Sequence, residues 1–109
     1  MADEQVQVTV NAQGDAVVVA VTGVVDALSL PVVSHELTDA QRGSQTVFID
    51  LSGVTFMDSR GLGALLAAHE RSREGAAPIR IYAPSDAVRR LLDVSGVGPI
   101  LTEVAALPE

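Results

Sequence analysis

The chain contains no cysteine, no tryptophan and no lysine. Without cysteine there is no disulfide framework, no thiolate nucleophile and no cysteine-ligated metal. Without lysine, and without a glycine-rich phosphate loop, a P-loop nucleotide hydrolase is excluded. Aromatic residues make up only 3%, so any core must be built from Val, Leu, Ile and Ala. Positive charge is scarce as well. Seven basic residues, all arginine, face fourteen acidic ones, for a net charge of -7. Such a chain has no electrostatic footprint for nucleic acid or for an anionic membrane surface. The longest apolar run, residues 16–21, is far too short to cross a bilayer. The opening Met1-Ala2-Asp3-Glu4 is acidic and lacks the apolar stretch of a secretory signal. These features lead us to expect a soluble, cytoplasmic protein.

What is present suits a compact fold. With 109 residues, 48% hydrophobic and 19% charged, one domain over residues 1–109 is expected. Val6, Val8 and Val10 alternate with Gln5, Gln7 and Thr9, the period of a half-buried strand. A turn cluster at 11–15 leads into a β-branched run at 16–22, as in a central strand covered on both faces. These two runs read as a hairpin closed by Gly23. Residues 28–42 read as a helix, with Ser29 as cap, Pro31 in the first turn and Gly43 just past the end. Residues 46–51 alternate again, with Val47, Ile49 and Leu51 on one face. A loop then leads to a second helix, 59–74, stopped by Gly75, with Leu62, Leu65, Leu66 and His69 on its apolar side. A third alternating strand at 78–83 and a short helix at 85–94, ended by Ser95-Gly96, follow. Residues 98–104 suggest a last short strand.

The order β-β-α-β-α-β-α implies an α/β domain with parallel crossover units, right-handed in nearly all cases. Three strands show one polar face, which favours helices stacked mainly on one side of a mixed sheet of four or five strands. In crossover units the strands point the same way, so the loops that follow them share one edge. Asp26, Asp58-Ser59 and Pro84-Ser85 are therefore expected to converge there. Ser59 stands at a helix start, as cap or in the first turn. Gly61 and Gly63 follow, and each costs a helix roughly 1 kcal/mol relative to alanine. Close backbone approach would offset that cost. Gly63 reads as serving helix–sheet packing and Gly61 as giving access to a partner. Structural readings stand beside these. Ser59 or Asp58 can be a helix cap, and Asp26 a turn residue.

Phe56-Met57-Asp58-Ser59-Arg60-Gly61-Leu62-Gly63 resembles the signature of STAS-domain anti-sigma-factor antagonists. In that family a phosphorylated Ser or Thr follows an Asp and precedes a small residue and Gly-Leu-Gly. Gly23-Val24-Val25-Asp26 is similar to the family's Gly-Glu-Leu-Asp turn in its Gly and its Asp. Residues 85–97 resemble the helix and turn that close the domain. The resemblance implies a phosphoswitch at Ser59 and a docking edge made by Asp26, Asp58, Arg60, Gly61 and Gly63. It implies an anti-sigma factor with Ser/Thr kinase activity as partner, a serine phosphatase that resets the switch, and no cofactor. The chain would then be a kinase substrate, not an enzyme. Two positions depart from the pattern. Arg60 stands where a small residue is usual, and it can pair with a phosphate or a partner carboxylate. Val24 replaces the usual Glu, removing one charge from the docking edge.

Other constellations are weaker. His35 and His69 have no ligand pattern around them. Ser59 lacks the Gly-X-Ser-X-Gly of a hydrolase elbow, since Met57 stands two residues before it. Arg71-Ser72-Arg73 and Arg89-Arg90 read as solvated helix faces that can also contribute to a partner surface. A runner-up function is a STAS subunit docked constitutively in a lipid-transport or stress-signalling assembly. Nucleotide binding in the edge cleft is a third option.

Overall fold

The computed structural model describes residues 6–108. The acidic N-terminal residues and Gln5 lie outside that range. The elements are β1 (Val6–Gln13), β2 (Ala16–Val25), α1 (Leu30–Gly43), β3 (Thr46–Met57), α2 (Ser59–Arg73), β4 (Ile79–Tyr82), α3 (Asp86–Ser95) and β5 (Glu103–Val104). The strands form one sheet in the order β1-β2-β3-β4-β5. β1 runs antiparallel to β2, and every other neighbouring pair is parallel. Element order and fold class match the sequence reading.

The sheet grows in one direction from β2 to β5, so right-handed crossovers put all three helices on the same face. Alternation then decides what is buried. Val17, Val19 and Val21 of β2 join Val47, Ile49 and Leu51 of β3 in a single core. Val33 and Leu37 of α1, Leu62 and Leu65 of α2, and Val88 and Leu92 of α3 close it from above. β2 is central, as its β-branched run suggests, yet helices cover only one of its faces. Val18 points to the other face and is buried there, with Asn11 and Phe48 as its register partners. Helices on one side match the sequence reading of the sheet, and the second face of β2 is covered without a helix.

Three other local expectations change. β2 does not stop at Gly23 but continues to Val25. Gly23 adopts φ +96° next to a register shift between Gly23 and Val24. A side chain there would be strained, so glycine permits the bulge that carries the strand on. Ser29 does not cap α1 through its side chain. Its hydroxyl instead donates to Val24 O at 2.8 Å and accepts from Asp26 N–H at 2.9 Å. The last segment is mostly a 3-10 turn, Gly98–Ile100, before a two-residue β5. Pro99 has no N–H to give a ladder, which shortens the strand.

Gln41, unremarked in the sequence, is a buried polar tie. Its Nε2 donates to Ala68 O and to Ala77 O, both at 2.9 Å. Its Oε1 accepts from Arg71 Nε at 2.9 Å. Arg71 is therefore half-buried and bonded, not part of a fully solvated face. At the far side of the sheet Arg89 of α3 pairs with Glu103 of β5. That hydrogen bond, with the charge behind it, raises the guanidinium pKa further. No helix is long and apolar enough to cross a membrane among the described residues.

Candidate functional site

The site begins with two strand ends held in register. Val25 pairs with Met57, and Asp58 N–H donates to Val25 O at 3.2 Å. Asp26 and Asp58 therefore leave the sheet side by side, as the crossover argument requires. Asp26 is half-buried and folds its own loop. Its Oδ1 accepts from Leu28 N–H at 3.0 Å and Ser29 N–H at 3.3 Å. This is the turn geometry to which a short carboxylate is suited. The turn reading of Asp26 is thus correct, and its placement at the edge is correct as well.

Asp58, not Ser59, caps α2. Its backbone is extended, and its Oδ1 accepts from Arg60 N–H at 2.9 Å and Gly61 N–H at 3.3 Å. Its Oδ2 meets Arg60 Nη1 at 3.3 Å. Both oxygens of Asp58 are thus engaged. Ser59 is the first helical residue and is exposed. The helix takes its cap from Asp58, so the Ser59 hydroxyl is left for other chemistry. Two carboxylates and one guanidinium leave this corner with a formal charge of -1, less acidic than Asp26 and Asp58 alone suggest.

The two glycines exchange the roles expected of them. Gly61 is buried, and a Cβ there would lie 2.6 Å from Met57 Cγ and 2.8 Å from Val25 Cγ1. Its lack of a side chain lets α2 start directly against the two strand ends. Gly63 is exposed, and a Cβ there would meet nothing within 4 Å. Gly63 is therefore the open position, and close packing falls to Gly61.

The third loop joins the edge only through its helix. Ser85 N–H donates to Leu51 O at 3.3 Å, six residues before Met57 along β3. At about 3.3 Å per residue, Pro84-Ser85 sits well below the Asp26–Asp58 corner. β3 outruns β4, and α3 flanks the overhang. Between them lies a groove of about 500 Å³ lined by Phe56, Met57, Asp86, Ala87, Arg90, Leu91 and Val94. Phe56 is 50% exposed and Val94 81%. Sequence reading missed this groove, though a signal was present. Ala87, Arg90, Leu91 and Val94 form an i, i+3, i+4, i+7 stripe beside the buried Val88 and Leu92. Of the pair read as a solvated face, Arg89 is tied to Glu103 and Arg90 lines the groove. His35 and His69 stand on different helices, and no group of three His, Asp or Glu among the described residues can hold a metal ion.

Known proteins share the fold, and some share sequence with this chain. The family model described as "Mlab, STAS domain" matches residues 8–103. An anti-sigma-B factor antagonist of Listeria monocytogenes is 32% identical over 88 residues, covering 80% of this chain and 77% of the relative. An anti-sigma factor antagonist from Mycobacterium paratuberculosis superimposes with a TM-score of 0.82 at 24% identity, over 94% of this chain and 87% of the other. The Bacillus cell fate determinant SpoIIAA in its phosphorylated form gives 0.69 at 22% identity, over 91% and 92%. The two solved structures show the fold, and the family match adds sequence kinship over most of its length. The chain belongs to the STAS-domain family, and within it is similar to anti-sigma-factor antagonists.

Proposed function

We propose that the chain is itself an anti-sigma-factor antagonist. It binds an anti-sigma factor through the edge made by Asp26, Arg60 and Gly63, with the Phe56–α3 groove continuing that surface, and so frees a sigma factor. The anti-sigma factor is a Ser/Thr kinase that phosphorylates Ser59 and ends the interaction, and a serine phosphatase restores it. The chain acts in the cytoplasm as a binding module and kinase substrate. One observation carries the reading. An exposed Ser59 opens a helix that Asp58 caps without it, at the corner where Asp26 also emerges. The Listeria relative's activity and the existence of a phosphorylated SpoIIAA support it.

The physics of the switch follows from that placement. Phosphorylation adds about -1.5 to -2 charges. A helix N-terminus favours an anion, so the phosphate does not melt α2. Inhibition then arises at the interface, from bulk, from desolvation of a dianion and from repulsion of partner acids. The test is a pull-down with the cognate anti-sigma factor. Ser59→Ala retains binding, and Ser59→Glu loses it by tenfold or more. Equal binding by both variants refutes the switch and leaves constitutive docking.

A further inference from the structure

Granting that Ser59 is the modified residue, one basic side chain stands beside it with only a loose prior engagement. Arg60 is 62% exposed, and its contact with Asp58 Oδ2 is 3.3 Å long. An ion pair this open to water contributes little and is readily exchanged. Neighbouring residues on a helix point about 100° apart, so Arg60 and Ser59 would not ordinarily meet. The observed geometry removes that obstacle. Arg60 folds back along the helix axis until Nη1 reaches the capping carboxylate, one residue before Ser59. Its guanidinium already lies against the capping carboxylate at the start of α2, where Ser59 is the first helical residue.

We propose that Arg60 is the counter-ion of the phosphorylated switch, exchanging Asp58 Oδ2 for the phosphate once Ser59 is modified. In the kinase step Ser59 Oγ bonds to the γ-phosphorus of ATP and the bond to the bridging oxygen breaks. ADP leaves and the hydroxyl proton passes to base. The product is a dianion with three acceptor oxygens, which suits the planar fork of a guanidinium better than one carboxylate oxygen does. Asp58 loses nothing as a cap, because that task rests on Oδ1. Two consequences follow. The phosphate stays doubly ionised to lower pH. Its oxygens are also partly shielded, so a phosphatase removes it more slowly and the bound-off state lasts longer.

The experiment installs phosphoserine at position 59 during translation, so no kinase is needed. The second ionisation of the phosphate, ordinarily near pH 6, is then followed by phosphorus NMR. The expected result is a pKa lower in the otherwise wild-type protein than in Arg60→Ser by about half a unit, with Arg60→Lys between them. The difference shrinks in about 1 M salt, as an exposed ion pair requires. The pull of the helix terminus is common to all three proteins and cancels. Equal pKa values in all three overturn the proposal. A parallel arm incubates unmodified protein with the cognate kinase and ATP and maps the modified residue by mass spectrometry. Modification elsewhere removes Ser59 as the switch, and that failure is distinct from the titration result.

Discussion

Alanine at Gly61 and alanine at Gly63 should move stability in opposite directions, although the two sites lie two residues apart in one helix. At Gly61 the new Cβ would stand 2.6 Å from Met57 Cγ and 2.8 Å from Val25 Cγ1. Both neighbours are buried, Val25 completely. Met57 is flexible and can give way, but a β-branched valine locked in a core has no free rotamer to adopt. Overpacking of this kind costs about 1–3 kcal/mol. Helix propensity returns at most about 1 kcal/mol, and less in the first turn. The net expectation is a loss of about 1–2 kcal/mol. At Gly63 there is nothing to strike, so propensity acts alone and the gain is about 0.5–1 kcal/mol. For a domain of this size 1 kcal/mol shifts Tm by about 4–8 °C, so the two variants should differ by roughly 6–24 °C. Thermal and urea denaturation followed by circular dichroism would read this directly. If the Gly61 variant melts with or above the wild type, the close-approach reasoning fails. Gly63→Ala adds a second readout. It should be the more stable protein and yet the weaker binder of the anti-sigma partner, because the methyl occupies the exposed approach to α2.

Two further substitutions separate structure from docking. Gln41→Leu removes a side-chain donor from Ala68 O and Ala77 O and frees Arg71 Nε. Ala68 O lies inside α2 and keeps its helical donor, but Ala77 O loses a buried partner. One unsatisfied carbonyl costs about 1–3 kcal/mol, so urea denaturation should show a loss of about 1–3 kcal/mol, and a change under about 0.5 kcal/mol would show that the tie is dispensable. Val94→Asp, at a position 81% exposed, should leave stability within about 0.5 kcal/mol. It should nonetheless weaken anti-sigma binding about tenfold in calorimetric titration, and unchanged affinity would remove the α3 groove from the docking surface.

Much of the fold was legible because local pattern and tertiary burial agree. Val6 to Thr9, Val47 to Leu51 and Ile79 to Ile81 alternate as their faces require, and Gly75 and Gly96 stop their helices. The second half of β3 was not legible. The residues after Leu51 read as a loop, and pairing with β2 holds them extended. Gly53 is needed there because a Cβ would lie 2.5 Å from Thr22 Cγ2. That tertiary contact has no local signature, so the overhang of β3, and with it the groove beneath Phe56, was hidden. Gln41 was hidden for the same reason. A polar residue on a helix reads as solvated until the two carbonyls it serves, 27 and 36 residues away, are placed beside it.

The corner at Asp26 and Asp58 was legible in position and not in detail, and the cause is helix phase. Asp58 and Ser59 are both good caps, and local preference cannot choose between them. Moving a helix start by one residue turns every side chain by about 100°. Gly61 and Gly63, two residues apart, must face nearly opposite ways, so the sequence shows that their roles differ without showing which is which. Once Asp58 takes the cap, everything else is determined. Gly61 turns inward onto Val25 and Met57, and Gly63 turns out. Ser59 is left exposed, and Arg60 folds back over the helix mouth. The electrostatics of the corner follow from the same choice. A capping Asp58 spends both oxygens within its own turn, so Asp26 and Arg60 dominate what an approaching protein meets. Adding a phosphate at Ser59 takes that corner from a formal charge near -1 to about -3. A partner that tolerates the first would be repelled by the second without any change in the fold that presents it.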